Sequence, residues 1–224
     1  MESVDIIILS NTASMKYYNM LKRCVESIKG SKDVNTRIIL VESNKKLKDR
    51  ELKLPIDVMI TPEEEFNYNM FVNYGLRECV NDIICVTNND VFYSTDTLSI
   101  LASYLDVYDS VSPWDTNMTH RLHSKRGIYE GYKTRYNLTG YSFVFKKSTL
   151  EAIGGSFDER FSFWYADDDY AMCLKKCGLR HALIGDAEVH HEIEQSHELF
   201  GDESSRNERT VGARKIFEDK WKTN

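Results

Sequence analysis

The stretch DIICVTNND, residues 82–90, decides the fold class of this chain. It begins as a β-rich apolar run and ends in the polar triplet Asn88-Asn89-Asp90. Apolar runs of the same kind occur earlier, at residues 4–10, 37–42 and 55–61. Segments with helical spacing separate these runs. Strands that alternate with helices in this way predict an α/β fold, in which a mostly parallel sheet carries helices on both faces.

The helical segments follow from their apolar spacing and their end signals. Residues 14–29 place Leu21, Cys24, Val25 and Ile28 on one face, and Gly30 ends the segment. Two further helices are expected over residues 66–79 and 95–108. The later chain is less regular, with few strand signals over residues 111–139. There we expect strands over 140–146 and 181–190, helices over 149–153, 168–177 and 210–221, and a mobile polar loop over 192–209.

Composition limits the class of protein. The chain has 224 residues and is 42% hydrophobic, which is enough for one domain with one sizeable core. Its net charge of -6 argues against a general nucleic-acid coat or a membrane-surface protein. No apolar stretch approaches the roughly 20 residues that span a bilayer, and the run after Met1 is too short for a signal peptide. The five cysteines form no CxxC pair, so we expect reduced thiols in a cytoplasmic protein.

Polar residues follow three of the expected strands. In a parallel sheet, ligands bind beyond the carboxyl ends of the strands, and this rule points to residues 10–12, 42–44 and 88–90. Asp90 could hold a divalent cation, because Mg²⁺ on a diphosphate needs only one or two protein carboxylates. Taken alone, however, the triplet 88–90 is better explained as a polar turn at the end of a strand.

An acidic cluster lies at residues 164–170, WYADDDY. One aspartate in a first helical turn is explained by capping and by the helix dipole. Three in a row exceed what a cap needs, because like charges repel unless a cation or a substrate separates them. A carboxylate here could act as a general base on a hydroxyl group.

A pair of histidines, His190 and His191, ends the last expected strand. A neutral imidazole is a common ligand for Mn²⁺-type ions, although a lone histidine is usually structural. Adjacent residues of a strand point to opposite faces. At most one of the two is therefore expected to face a site.

These elements, in this order, resemble glycosyltransferase family 2, the inverting enzymes of the GT-A fold, and in particular its rhamnosyltransferase-like branch. The resemblance spans roughly residues 4–191. Its most specific part is GGSFDERF, residues 154–161, followed by the acidic cluster. The other matching elements are Asn73-Tyr74-Gly75, Asn88-Asn89-Asp90, Asp167-Asp168-Asp169 and His190.

The resemblance implies a fold, a reaction and a set of site residues. It implies a single GT-A domain over residues 1–224, with a nucleotide-sugar-binding half (1–110), an acceptor and catalytic half (111–191), and a mobile loop with a C-terminal helix (192–224). Asp90 and His190 would hold Mn²⁺ or Mg²⁺ on the diphosphate of a UDP- or TDP-linked sugar. Asp167 would be the catalytic base. The donor would contact Asn11, Glu42, Asn44, Asn73, Asn88 and Asn89.

Three departures from the family pattern bear on these roles. Ala166 stands where the family usually has glutamate, which makes Asp168 a rival base. The triplet at residues 42–44 is Glu-Ser-Asn instead of Asp-Asn-Ser, which leaves the nucleoside open. Asn88 replaces an aspartate, so Asp90 is the one firm carboxylate at the expected metal site.

The segment 118–136 is the expected acceptor region, together with Trp164 and Tyr165. It holds five basic residues against one acidic residue, with tyrosines interleaved. Arg121, Arg126 and Tyr132 are its candidate contacts. Such a loop suits an anionic acceptor, for example a lipid-linked phosphate, an anionic polysaccharide or, less favoured, a nucleic acid. A solvated loop whose charges pair with the acidic remainder explains it equally well.

Two other functions remain open at this level. A nucleotidyltransferase would usually carry a glycine-rich loop near its first strand, and residues 10–14 contain no glycine. A non-catalytic module could retain the fold, since fold does not fix function. Asn88 and Ala166 favour that alternative. The transferred sugar, the acceptor and the oligomeric state do not follow from the sequence.

Overall fold

The apolar runs of the first half form the parallel part of one sheet. The computed structural model describes residues 1–47, 52–117, 126–192 and 203–222. Its first four strands are β1 (Glu2–Ser10), β2 (Val34–Glu42), β3 (Val58–Ile60) and β4 (Ile83–Asn88). They lie in the order β3-β2-β1-β4 and pair in parallel. Both β1 and β4 are almost fully buried, as their apolar sequences predict.

The second half extends this sheet with mixed pairing. The added strands are β5 (Val91–Tyr93), β6 (Ser110–Asp115), β7 (Ile128–Glu130), β8 (Ser142–Lys146) and β9 (His181–His191). β8 pairs antiparallel with both β4 and β6, while β9 runs parallel to β6 and antiparallel to β5 and β7. The sequence prediction missed β6. Its register shifts between Pro113 and Trp114, as expected of a strand whose proline lacks an N–H group.

Helices cover both faces of the sheet, as predicted. They are α1 (Met15–Lys29), α2 (Tyr68–Arg77), α3 (Thr97–Tyr104), α4 (Lys147–Ala152), α5 (Ala166–Lys176) and α6 (Glu203–Lys220). α1 and α3 pack in one hydrophobic cluster, with Leu21 and Leu101 among its buried residues. α2 and α5 pack in a second cluster, with Phe71 and Tyr170. None of the helices in the described ranges has the length and apolar character needed to cross a bilayer.

The C-terminal helix begins earlier than the sequence predicts. Residues 203–209 were expected in a mobile loop, but they form the first turns of α6. That prediction was wrong because it rested on polar composition, and the polar sequence of this segment is compatible with a helix. The remainder of the expected loop, residues 193–202, lies outside the described residues.

Close packing of α2 on β1 depends on a glycine. A methyl group added at Gly75 would lie 2.5 Å from Cγ2 of Ile7, which is fully buried. A contact that short requires side chains or backbone to shift. Gly212 in α6 is the opposite case, since nothing lies within 4 Å of an added methyl group there.

Gly75→Ala should therefore destabilise the protein although alanine favours helices. We expect the free energy of unfolding to fall by about 1–2 kcal/mol, because overpacking outweighs the gain of about 1 kcal/mol in helix propensity. Gly212→Ala is the matched control, and it should raise the free energy of unfolding by up to about 1 kcal/mol. Urea denaturation of both variants tests the contact, and equal effects of the two changes would contradict it.

Candidate active site

Two adjoining cavities open at the carboxyl ends of β1 and β4. The larger measures about 520 Å³ and the smaller about 50 Å³. Tyr68, Asn88 and Phe163 line both. The larger cavity has the size of a small-molecule site, and its place is the one that the strand-end rule predicts.

Asp90 lies in the lining of the smaller cavity. Its side chain is buried, with 3% of the residue exposed, and its Oδ1 makes no hydrogen bond with any described residue. The Nε2 of His191 lies 3.4 Å from this oxygen. An unpartnered buried carboxylate oxygen is unfavourable, so its surroundings indicate a ligand that brings a positive charge or a donor.

Asp115 supports His191 from behind and was not found from the sequence. It is fully buried in β6, and its Oδ1 accepts hydrogen bonds from the backbone N–H groups of Asn117 (2.9 Å) and His191 (3.2 Å). Its Oδ2 faces Nδ1 of His191 at 3.9 Å. Tyr141 stacks on the imidazole with a ring separation of 4.1 Å, and burial, together with the charge of Asp115, raises the pKa of the tyrosine.

The prediction that His190 lies with Asp90 was wrong. In the β5–β9 pairing, His191 is opposite Val91 and His190 is opposite Phe92. The His190 ring therefore points to the other face, where it stacks on Phe92 and its Nδ1 lies 3.2 Å from Thr116. The sequence predicts that adjacent residues of the strand point to opposite faces of the sheet. It does not determine which of the two histidines faces the cavity.

The asparagines after β1 and β4 lie at the small cavity. Asn11, Asn88 and Asn89 line it together with Asp90. The side chain of Asn89 is held by a 3.0 Å hydrogen bond to the hydroxyl of Ser10. The predicted donor contacts Asn11, Asn88 and Asn89 are thus brought to one place.

Three other predicted donor contacts hold loops together instead of lining the cavities. Glu42 is fully buried, and its carboxylate accepts from the N–H (2.9 Å) and hydroxyl (2.7 Å) of Thr12 and from the N–H of Asn44 (2.8 Å). The Asn44 side chain donates to the carbonyl of Thr12 at 2.8 Å. The Asn73 amide exchanges two 2.9 Å hydrogen bonds with the backbone of Phe157. The Asn73 element and the GGSFDERF element are therefore in direct contact in the fold.

Asp167 is the carboxylate of the larger cavity. It stands in the first turn of α5, half-buried against Gly140. A methyl group at Gly140 would lie 2.9 Å from Cβ of Asp167, so the glycine is needed for this approach. Burial, and secondarily the charge of Asp168, raises the pKa of Asp167 to about 6.

The other two aspartates of the cluster are engaged outside the cavity. Asp168 accepts a 2.7 Å hydrogen bond from the hydroxyl of Thr134. Asp169 accepts from the indole N–H of Trp221 at 2.7 Å and pairs with Lys220 at 2.8 Å. Lys220 also contacts Asp158 at 2.9 Å. Hence the three consecutive carboxylates have different partners, and of the three only Asp167 lines the cavity.

Of the residues predicted to contact the acceptor, some line the larger cavity and others do not. Trp164 lines the large cavity, whereas the Tyr165 ring packs on Phe217 of α6 at 5.2 Å. The hydroxyl of Tyr132 donates to the carbonyl of Leu179 at 2.6 Å. Arg126 is exposed and does not line the cavity. Arg121 lies outside the described residues.

Among the basic residues that the structure describes in this segment, Arg135 reaches the cavity lining, and it was absent from the predicted site. Its positive charge acts to lower the pKa of Asp167, against the larger effect of burial. The interleaved tyrosines and basic residues of this segment do not distinguish Arg135 from its neighbours.

Comparisons with known proteins agree with this architecture. No protein-family profile matches the chain. Over 128 residues it is 23% identical to the UDP-Gal:alpha-D-GlcNAc-diphosphoundecaprenol beta-1,3-galactosyltransferase of Escherichia coli, an alignment that covers 51% of this chain and 44% of that enzyme. The chain thus spans less than half the length of the relative it matches.

The solved structure of TarS from S. aureus shares the fold. The TM-score is 0.64 at 13% sequence identity, over 86% of this chain and 37% of that chain. The fold is of the GT-A type. This confirms the fold class that the sequence predicts, a single α/β domain with a mixed, mostly parallel sheet.

Asp167 should lower the stability of the folded protein at neutral pH. Its pKa rises from 3.8 to about 6 on folding, so between these values the folded state binds more protons and the free energy of unfolding falls as pH rises. Asp167→Asn should therefore stabilise the protein above about pH 7 by up to about 3 kcal/mol, and the difference should vanish below about pH 4.

Asp158 provides a control of opposite sign. Hydrogen bonds from Arg160, followed by Lys220, hold the pKa of Asp158 well below its ordinary value. Asp158→Asn should therefore destabilise the protein at neutral pH, and this loss should shrink as the pH falls below about 4. Thermal unfolding across pH measures both variants. A pH-independent effect of Asp167→Asn would show that this carboxyl titrates normally.

Proposed function

We propose that this chain is an inverting glycosyltransferase that moves a sugar from a nucleoside-diphosphate sugar to an acceptor hydroxyl. The observation that carries the proposal is the position of Asp167 in the larger cavity, beside a smaller cavity that holds Asp90. In this proposal Asp167 takes the proton of the acceptor and Asp90 meets the diphosphate of the donor. The relative from Escherichia coli, a galactosyltransferase by name, supports this assignment.

Asp167 has the properties of a general base. With a pKa of about 6 it is ionised at neutral pH and still basic enough to accept a proton efficiently. The acceptor oxygen attacks the anomeric carbon and its proton passes to Asp167. The bond from that carbon to the donor phosphate breaks at the same time, and the leaving diphosphate takes the electron pair. A single displacement of this kind inverts the anomeric centre.

We assign the donor diphosphate and its cation to the position next to Asp90, at the smaller cavity. Asp90 Oδ1 makes no hydrogen bond with the residues that the structure describes, and His191 Nε2 at 3.4 Å is close enough for both groups to hold one ion. No cluster of three or more metal-binding side chains occurs in the described part of the chain. Two protein ligands suffice when phosphate oxygens and water supply the others, as is typical of Mg²⁺ and Mn²⁺ sites on nucleotides. Such an ion would stabilise the negative charge of the leaving diphosphate.

The nucleoside would lie over the ends of β1 and β2. Asn11 and Ser43 line this edge, while Glu42 fixes the loop that carries Thr12 and Asn44 through three hydrogen bonds. We propose a UDP- or TDP-linked donor and membership of glycosyltransferase family 2. The role of Glu42 in base recognition is then indirect.

Asp167→Asn should abolish sugar transfer while donor binding persists. The amide cannot accept the acceptor proton, so we expect a loss of about 10²–10⁴-fold in kcat with little change in nucleotide affinity. Asp168→Asn is the matched control, because Asp168 is held by Thr134 outside the cavity. The measurement is release of the nucleoside diphosphate with a panel of acceptors. Retained turnover in Asp167→Asn with loss in Asp168→Asn would reverse the assignment.

Binding of nucleoside diphosphates should depend on metal through Asp90 and His191. A thermal-shift panel of UDP, TDP, GDP, ADP and CMP, with and without Mn²⁺, reports this directly. Ligand at about 100 times its Kd adds roughly 2.7 kcal/mol of stability. The wild type should respond to UDP or TDP with Mn²⁺, and Asp90→Asn and His191→Ala should lose most of the response.

His190→Ala serves as the control in this panel, since its ring lies on the opposite face of β9. It should retain the full shift. A shift that survives Asp90→Asn would remove Asp90 from the metal site. The absence of any nucleotide shift in the wild type would favour the non-catalytic module.

A further inference from the structure

The larger cavity is rich in aromatic rings. Its lining includes Tyr68, Tyr141, Phe143, Phe157, Phe163 and Trp164. Flat aromatic faces pack well against the C–H faces of a pyranose ring, and such packing adds to the burial of apolar surface. An extended polar chain or a small ion would leave most of this surface without a partner.

Several buried polar atoms of the lining have no hydrogen-bond partner among the described residues, and two of them belong to Asn69 and Trp164. The amide nitrogen of Asn69 donates to the carbonyl of Asp158 at 2.9 Å, which orients the amide, and its Oδ1 has no partner among the described residues. Asn69 is only 1% exposed. The indole N–H of Trp164 likewise has no described partner. Since most buried polar atoms are paired in native proteins, these two indicate a ligand.

One of these two atoms accepts a hydrogen bond and the other donates one, and this restricts the chemistry of the ligand. Asn69 offers an acceptor and Trp164 offers a donor. Hydroxyl groups satisfy both, because each can donate and accept. A fully anionic ligand would leave the Asn69 oxygen unpaired, whereas a ring with several hydroxyl groups pairs with both residues.

Arg135 adds one positive charge to the lining. It is exposed, it makes no ion pair with the described residues, and its backbone is held at φ 65° by the turn to Leu138. A residue other than glycine in this left-handed region carries backbone strain, which often marks functional sites. A guanidinium placed in this way suits a phosphate group.

We propose that the acceptor is a glycosyl phosphate: a sugar ring that stacks in the larger cavity, offers a hydroxyl to Asp167 and places its phosphate on Arg135. This inference rests on the proposed glycosyltransferase function and names its acceptor class. The same chemistry occurs in a soluble sugar 1-phosphate and in a lipid-linked sugar diphosphate. The experiment below separates these two sources.

The test compares the affinities of matched probes by NMR titration of the full chain. The probes are free hexoses and N-acetylhexosamines, their 1-phosphates, their alkyl diphosphates, inorganic phosphate and a short single-stranded oligonucleotide. We expect the 1-phosphate to bind about tenfold or more tightly than the free sugar, because the phosphate gains a charge-assisted contact. Tighter binding of the alkyl diphosphate would identify a lipid-linked acceptor, and equal binding a soluble one.

Variants assign the two parts of the site. Arg135→Gln should remove the advantage of the phosphate without changing the affinity for the free sugar, and Arg135→Lys should restore part of it. Arg126→Gln is the matched control, since Arg126 also has positive φ and is exposed but does not line the cavity. Trp164→Phe should weaken sugar and sugar phosphate alike, by about 2–10-fold, because one hydrogen bond is lost.

Trp114→Phe is the control for Trp164. The Trp114 indole N–H also lacks a described partner, but Trp114 is not part of the cavity lining. Equal binding of sugar and sugar phosphate would overturn the role of Arg135. If inorganic phosphate or the oligonucleotide binds as tightly as the sugar phosphate, the inference that a sugar ring occupies the cavity is wrong.

A separate readout distinguishes this inference from the proposed function. The shift produced by nucleoside diphosphate and Mn²⁺ should be unchanged in Arg135→Gln and Trp164→Phe. If that shift is present and no sugar phosphate binds, the acceptor class is wrong and the transferase proposal stands. If the nucleotide shift is also absent, both fail.

Discussion

The register between β1 and β4 is the constraint on which the site depends. The two strands run in parallel with Leu9 opposite Asn88, so both end at the same edge of the sheet. β8 then enters antiparallel beside β4, and the carbonyl of Tyr141 accepts from the N–H of Asn88 at 2.9 Å. This places the start of β8 where β4 ends. A slip of one residue in the pairing of β1 with β4 would turn every side chain of the slipped strand to the other face of the sheet. The residues that now meet at this edge would then no longer lie together.

The buried carboxylates of this protein differ in how fully they are hydrogen-bonded. Asp5, Glu42 and Asp169 are saturated: Asp5 accepts from the N–H groups of Val80 and Asn81 at 2.7 Å, and Asp169 is paired with Lys220 and Trp221. Such groups hold loops and α6 in place. Asp90 and Asp167 differ from these groups, since Oδ1 of Asp90 has no hydrogen-bond partner among the described residues and Asp167 accepts a longer bond, 3.1 Å, from the backbone N–H of Asp168. Unsatisfied carboxylates in a cleft are the expected property of reactive positions.

The sequence was most informative where local pattern determines structure. Apolar runs predicted β1 to β4, and the apolar face together with Gly30 predicted α1, because burial and helix-end signals act over a few residues. It failed at β6, whose polar and proline-containing sequence becomes a strand only through pairing with β8 and β9. The choice between His190 and His191 depended on the phase of β9 against β5. No sequence motif marks Asp115, because its position next to His191 depends only on the tertiary structure.

The same reasoning explains why some motif residues are not site residues. Asn73 and Phe157 of the GGSFDERF element lie 84 residues apart in sequence, yet the Asn73 side chain makes two hydrogen bonds with the Phe157 backbone. The pair anchors the segment that leads into α5, while Lys220 and Trp221 hold Asp169 two residues after Asp167. Asp167 therefore stands on a helix turn fixed from both sides. A carboxylate that remains half-desolvated needs such support, because the free energy that raises its pKa would otherwise drive it into solvent.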